Sequence, residues 1–108
     1  MKKKIAGLKA ISFKDIIESL HSKERRSVCW YLSFTYPAWA TIMDIARGVQ
    51  SDYKNVKGAL IGDGERYSKK LALVKVGLAE RKIVKFGRQK RYMYRAKRRS
   101  SMTVIDDG

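Results

Sequence analysis

One cysteine, one histidine and one proline stand among 108 residues, and each scarcity removes a class of explanation. With Cys29 alone, no disulfide can form within the chain and no zinc-ligand spacing exists, the pattern of a reducing interior. Cys29 sits in the apolar run Val28 to Leu32, where packing is the ordinary role of a free thiol. His21 lies at a junction between two apolar patterns, with no nucleophile arrangement around it, and reads as a surface histidine. Asp63 and Glu65 flank Gly64 and read as turn chemistry. The glycines of that segment lack the spacing and the terminal Lys-Ser/Thr pair of a phosphate-binding loop. No enzyme, catalytic residue, metal site or cofactor is expected.

Long hydrophobic runs are also missing. No apolar stretch approaches the roughly 20 residues that span a bilayer, and no apolar segment of signal-peptide length follows the basic start at Lys2, Lys3 and Lys4. The expectation is a soluble, cytoplasmic protein with no membrane partner. Acidic residues are scarce as well: 10 Asp and Glu face 25 Lys and Arg, for a formal charge of +15. Such an imbalance repels the chain from itself and points to a strongly negative partner, nucleic acid first. Yet 44% of the residues are apolar, enough for a core and too many for a disordered polybasic chain. The length suits a single domain, read as 12–97, between a basic arm at 1–11 and a tail at 98–108.

Hydrophobic spacing sets out the elements. Ser12 offers a helix cap, and Phe13, Ile16, Ile17 and Leu20 share one helical face. Ser22 can cap a second run whose face is Val28, Tyr31, Leu32 and Thr35; 13–35 reads as one bent helix or two, stopped by Pro37. Thr41 and Asp44 form a capping-box-like pair ahead of Ile42, Ile45, Ala46 and Val49. Gly48 fits a left-handed helix end. After a short turn Ser51 opens another helix, 51–62, with Tyr53, Val56, Ala59 and Leu60 facing inward. The segment 67–76 is read as helix. From Ala79 two β-prone runs flank Gly87, Arg88, Gln89 and Lys90, a hairpin with a four-residue loop. Two helices joined by a tight turn, then a basic hairpin, predict a mainly α, α+β fold: a winged helix-turn-helix.

At this point a resemblance becomes specific. Phe34-Thr35-Tyr36-Pro37, Asp44-Ile45-Ala46-Arg47-Gly48, Arg66-Tyr67-Ser68-Lys69 and Val76-Gly77-Leu78-Ala79 carry it. From Leu32 to Lys97 the chain resembles small predicted winged helix-turn-helix transcriptional regulators of archaea and their viruses and plasmids. The resemblance implies DNA binding and a regulatory role, without a target.

In a helix-turn-helix the second helix enters the major groove, where base edges are distinguishable. Helix 51–62 would present Lys54, Asn55, Lys57, Gly58 and Ile61 outward. Asn55 suits adenine, the lysines guanine or phosphate, and Ser51 a phosphate. Gly58 would allow close approach to the duplex, at about 1 kcal/mol of helix stability relative to Ala. Arg66 and Lys69 follow on the next segment. Between Arg81 and Arg99 stand ten Lys or Arg and no acid. Within that run Lys82, Lys85, Arg88, Lys90 and Arg91 belong to the hairpin 79–97, the wing, and arginine suits narrow minor grooves. Residues 2–4 and 97–99, with Arg98 and Arg99, would serve as mobile phosphate clamps. Tyr92 and Tyr94 share a strand face and are expected to pack the hairpin on the helices. Trp30 and Trp39 read as core or interface anchors, and Phe34, Tyr36 and Trp39 around Pro37 as an aromatic cluster suited to a homodimer. Double-stranded DNA is the expected partner, with the protein on the nucleoid; RNA binding and non-specific architectural binding are the alternatives.

Overall fold

The computed structural model describes residues 13–97. The cap expected at Ser12, the arm 1–11, Arg98, Arg99 and the tail lie outside these residues. Four helices precede one hairpin: α1 (Phe13–Ser19), α2 (Lys23–Thr35), α3 (Ile42–Val49), α4 (Tyr53–Ile61), β1 (Ala79–Phe86) and β2 (Gln89–Ala96).

The 13–35 stretch is two helices. Ser22 accepts a hydrogen bond from the Arg25 N–H at 3.2 Å and starts α2. The carbonyls left open at the end of α1 are met by arginines from α2. Arg25 Nε donates to Ser19 O at 2.7 Å, and Arg26 donates to Leu20 O at 2.9 Å and to His21 O at 3.1 Å. Arg25 is buried there, and burial lowers its pKa from the ordinary value. The Ser19 hydroxyl, also buried, donates to Leu71 O at 2.7 Å and ties α1 to the distant turn region. Of the apolar face expected on α1, Ile16 and Leu20 are half-buried, while Phe13 is 71% exposed and Ile17 is exposed too.

Val28 and Leu32 of α2, Ile42, Ile45 and Ala46 of α3, and Val56, Ala59 and Leu60 of α4 meet in one core. Ala40, Leu73, Ala79 and Tyr94 close it, with half-buried Cys29 and Tyr31 against its edge. Thr41 and Asp44 form the expected reciprocal cap on α3, at 3.1 Å in each direction. The left-handed residue ending α3 is Gln50 (φ 57°, ψ 50°), not Gly48. Gly48 serves packing instead: a Cβ there would lie 2.7 Å from Tyr31 Cδ1 and 2.9 Å from its Cζ. The cap of α4 is Asp52, whose carboxylate accepts from Asn55 N–H at 2.8 Å. Helix 51–62 therefore narrows to 53–61, and Ser51, its N–H donating to Ala46 O at 2.9 Å, still belongs to the turn.

Segment 67–76 is turns, not helix. Its apolar residues Ala72, Leu73 and Val76 are buried as the pattern required, but its backbone has another task. Leu73 N–H donates to Ala59 O and Val74 N–H to Leu60 O, both at 3.0 Å, so the segment satisfies carbonyls left open at the end of α4. A helix over 67–76 would spend those N–H groups internally.

The hairpin pairs in register from Ala79↔Ala96 to Phe86↔Gln89. Its loop is two residues, Gly87 and Arg88, not four. Gly87 at φ 64° is the first central residue and Arg88 keeps a negative φ, the pattern of a type II′ turn. Ala40 exchanges both backbone hydrogen bonds with Tyr94, at 2.9 and 2.8 Å, which pins β2 to the segment between α2 and α3. Among the described residues no helix is long and apolar enough to cross a membrane.

Candidate nucleic-acid interface

α4 buries Val56, Ala59 and Leu60 and turns Tyr53, Lys54 and Lys57 outward. Tyr53, expected inside, is 47% exposed. Gly58, expected outside, is buried, and a Cβ there would lie 2.6 Å from Tyr67 Cγ. The same tyrosine reaches past it: Tyr67 O–H donates to Asn55 Oδ1 at 3.1 Å. Burial raises the Tyr67 pKa, with Glu24 adding to the effect. Asn55 is thus a half-buried side chain held by the following loop, on the flank of α4, while Lys54 and Lys57 carry the exposed face. The loop is itself fixed by Asp63, whose carboxylate accepts from Glu65 N–H at 2.8 Å and Tyr67 N–H at 2.9 Å. Those two bonds hold Asp63 below its ordinary pKa.

A groove of about 580 Å³ opens between the starts of α3 and α4 and the outer half of β2. Its lining includes Met43, Arg47, Tyr53, Lys90, Arg91 and Tyr92. Tyr92 and Tyr94 share one face of β2, as alternation requires, but their fates differ along it. Tyr94 is 1% exposed in the core, its pKa raised by that burial; Tyr92, nearer the turn, is 45% exposed. The guanidinium of Arg81 lies 4.6 Å from the Tyr92 ring centre.

The cations of the hairpin divide by what they already touch. Arg95 pairs with Glu80 at 2.7 Å, stacks on Trp39 at 4.4 Å and Tyr36 at 5.5 Å, and so anchors the hairpin base. Lys82 places its ammonium 4.4 Å from the Trp39 ring. Tyr36 and Trp39 are half-buried by these contacts. The large exposed aromatics of this region are Phe34 and Trp30, stacked at 5.3 Å on the outer side of α2. Lys85, Arg88, Lys90 and Arg91 are exposed, Arg91 lying 5.5 Å from the Phe86 ring. Arg66 is exposed over the ring of Tyr67 at 5.7 Å, and Lys69 is exposed with its Cα packed against Gly62.

Of the residues singled out from sequence, Lys54, Lys57, Lys90 and Arg91 fall around α4 and its groove, Lys85 and Arg88 at the hairpin end, and Lys82 over Trp39. Sequence reasoning missed Arg47, Tyr53, Lys70, Lys75 and the placement of Arg81. The discoverable signal was the cap: setting it at Asp52 makes Tyr53 a first-turn residue beside the turn that joins α3 and α4.

Helix, tight turn, helix and a terminal hairpin make this a mainly α protein with the element order of a winged helix-turn-helix. The chain belongs to the EarA-like family, whose model matches residues 16–103. An uncharacterized protein of Methanocaldococcus jannaschii is 39% identical over 66 residues, 60% of this chain and 60% of that relative's length. Among solved structures, a possible transcriptional regulator from Methanosarcina mazei Go1 superposes with a TM-score of 0.60 at 17% identity. That match covers 96% of this chain and 81% of the other.

Proposed function

We propose that this protein is a transcription regulator that binds duplex DNA, with α4 in the major groove and the hairpin as a wing. The observation that carries the reading is the meeting of two cationic elements on one surface. Lys54 and Lys57 face outward from α4, and Arg47, Lys90 and Arg91 line the groove between that helix and β2. A backbone strand seated in the groove would meet three cations and the hydroxyls of Tyr53 and Tyr92, against one carboxylate, Asp44, that accepts from the Thr41 N–H. Lys85 and Arg88 would reach on toward the adjacent minor groove. The role is binding, not catalysis, and a DNA-bound regulator would reside on the nucleoid. The family relationship and the similarity to a possible transcriptional regulator support the regulatory part.

Selection of bound duplexes from a randomised pool at about 150 mM salt, with duplex RNA as competitor, tests this directly. An enriched motif that disappears in a Lys54→Ala, Lys57→Ala variant is the expected result. Retention of DNA with no enrichment would instead indicate architectural binding. Loss of DNA to the competitor would favour RNA, for which the exposed rings of Tyr53 and Tyr92 offer stacking surfaces. A homodimer would use the exposed Trp30–Phe34 pair, and sedimentation of a Trp30→Ala variant would reveal it.

A further inference from the structure

A second cationic cleft lies at the other end of α4. Lys69, Lys70, Lys75 and Arg81 surround a depression of about 320 Å³ floored by Ile61, Ala72 and Val74. All four cations are exposed, and no acid lines the cleft. The arrangement is built by the turn segment, because the bonds from Leu73 and Val74 to the end of α4 hold the segment that carries Lys70 and Lys75 against that helix end, where both line the cleft with Ile61. Ile61 is half-buried and packs against the core.

We propose that this cleft binds the phosphates of the second DNA strand, so that the duplex is gripped on both sides of the major groove. The inference rests on the DNA-binding reading above and adds a partner surface that reading does not contain. Geometry supports it. α4 has nine residues, about 13 Å at 1.5 Å per residue, close to the roughly 12 Å width of the major groove. A helix of that length crossing the groove brings each end to one of the bordering strands. The first groove, beside Tyr53, lies at the start of α4 and this cleft at its end, so each has cations of its own, with Arg81, stacked on Tyr92, between the two. The lysines sit by the negative end of the helix dipole, which favours their charge without DNA. That interaction alone asks for one cation and no shared cleft.

The test is fluorescence anisotropy with one fixed duplex between 50 and 200 mM salt, comparing the full-length protein with a Lys70→Gln, Lys75→Gln variant. Both lysine side chains are exposed, and circular dichroism of the variant provides the folding control. Losing two phosphate contacts should flatten the log–log salt slope by about 1.8, shrinking the affinity loss over that range about twelvefold. Neutral methylphosphonates placed on one strand should weaken the wild-type protein and leave the variant unaffected. An unchanged slope in a variant that still binds overturns the second cleft while leaving the first reading intact. A wild-type protein that binds no DNA at 50 mM salt overturns the DNA reading itself. Stabilisation of the free protein by tripolyphosphate, lost in the variant while the DNA slope is unchanged, would reassign the cleft to a small polyanion and likewise overturn the proposal.

Discussion

Replacing Gly58 by alanine separates two accounts of that glycine. If it existed to let α4 approach the duplex, Gly58→Ala would stabilise the free protein by about 1 kcal/mol, the usual gain from removing a mid-helix glycine. Its surroundings predict the opposite. The added methyl would sit 2.6 Å from Tyr67 Cγ and 3.0 Å from Tyr67 Cβ, where carbon atoms ordinarily rest about 3.5 to 4 Å apart. Tyr67 cannot simply swing aside, because its hydroxyl is bonded to Asn55 and its N–H to Asp63. The loop must move, at about 1–3 kcal/mol for such overpacking. Against the propensity gain, the net expectation is a loss of up to about 2 kcal/mol, visible as a fall of roughly 4–8 °C in Tm per kcal/mol for a domain of this size. Urea unfolding followed by circular dichroism measures it, and a cycle with Tyr67→Ala supplies the control. In the Tyr67→Ala background, where only the 3.0 Å approach to Cβ remains, most of that loss should disappear. If Gly58→Ala stabilises the protein with Tyr67 present, the packing argument is wrong and the glycine is free for another purpose.

Three further outcomes follow from the same contacts. Gln50→Gly should raise stability by about 0.5–1 kcal/mol in denaturant unfolding, since Gln50 holds a left-handed conformation that glycine adopts without a Cβ penalty. Arg95→Ala should lower stability by about 1–2 kcal/mol through lost stacking on Trp39 and Tyr36, whereas Glu80→Gln should cost under about 1 kcal/mol because the ion pair is partly exposed. Tyr67 and Tyr94 have pKa values raised by burial, so the folded state holds their protons more tightly than the unfolded one. Their contribution is complete below the ordinary tyrosine value of about 10 and lost as pH climbs through the raised values. Thermal unfolding scanned from pH 8 to 12 should therefore show alkaline destabilisation that Tyr94→Phe reduces.

Elements whose stability is local were legible in the sequence. The Thr41–Asp44 box, the Ser22 cap, the core face of α3 and the paired β-prone runs all follow from side chains within a few residues of one another. What failed depended on residues far apart. The spacing of Leu71, Leu73, Val74 and Leu78 records that the segment is buried, but not that its N–H groups are claimed by Ala59 and Leu60. Gly48 and Gly58 signal that a side chain is excluded; whether a helix end, a duplex or a tyrosine excludes it cannot be read from the glycine.

Charge shows the same division, and here it bears on function. Composition counts Arg95 and Arg91 alike, yet one is held by Glu80 and two aromatic rings while the other lines an open groove. Read as a helix, 67–76 would point Lys69, Lys70 and Lys75 in three directions about its axis, at 100° per residue. Folded as turns against the end of α4, they border one cleft. A basic sequence thus specifies attraction to a polyanion, while the backbone of the turn segment decides whether its charges act separately or on one strand. The salt slope of the Lys70→Gln, Lys75→Gln variant measures that distinction, because each lysine that neutralises a phosphate adds about 0.9 to it and a lysine turned away from the duplex adds nothing.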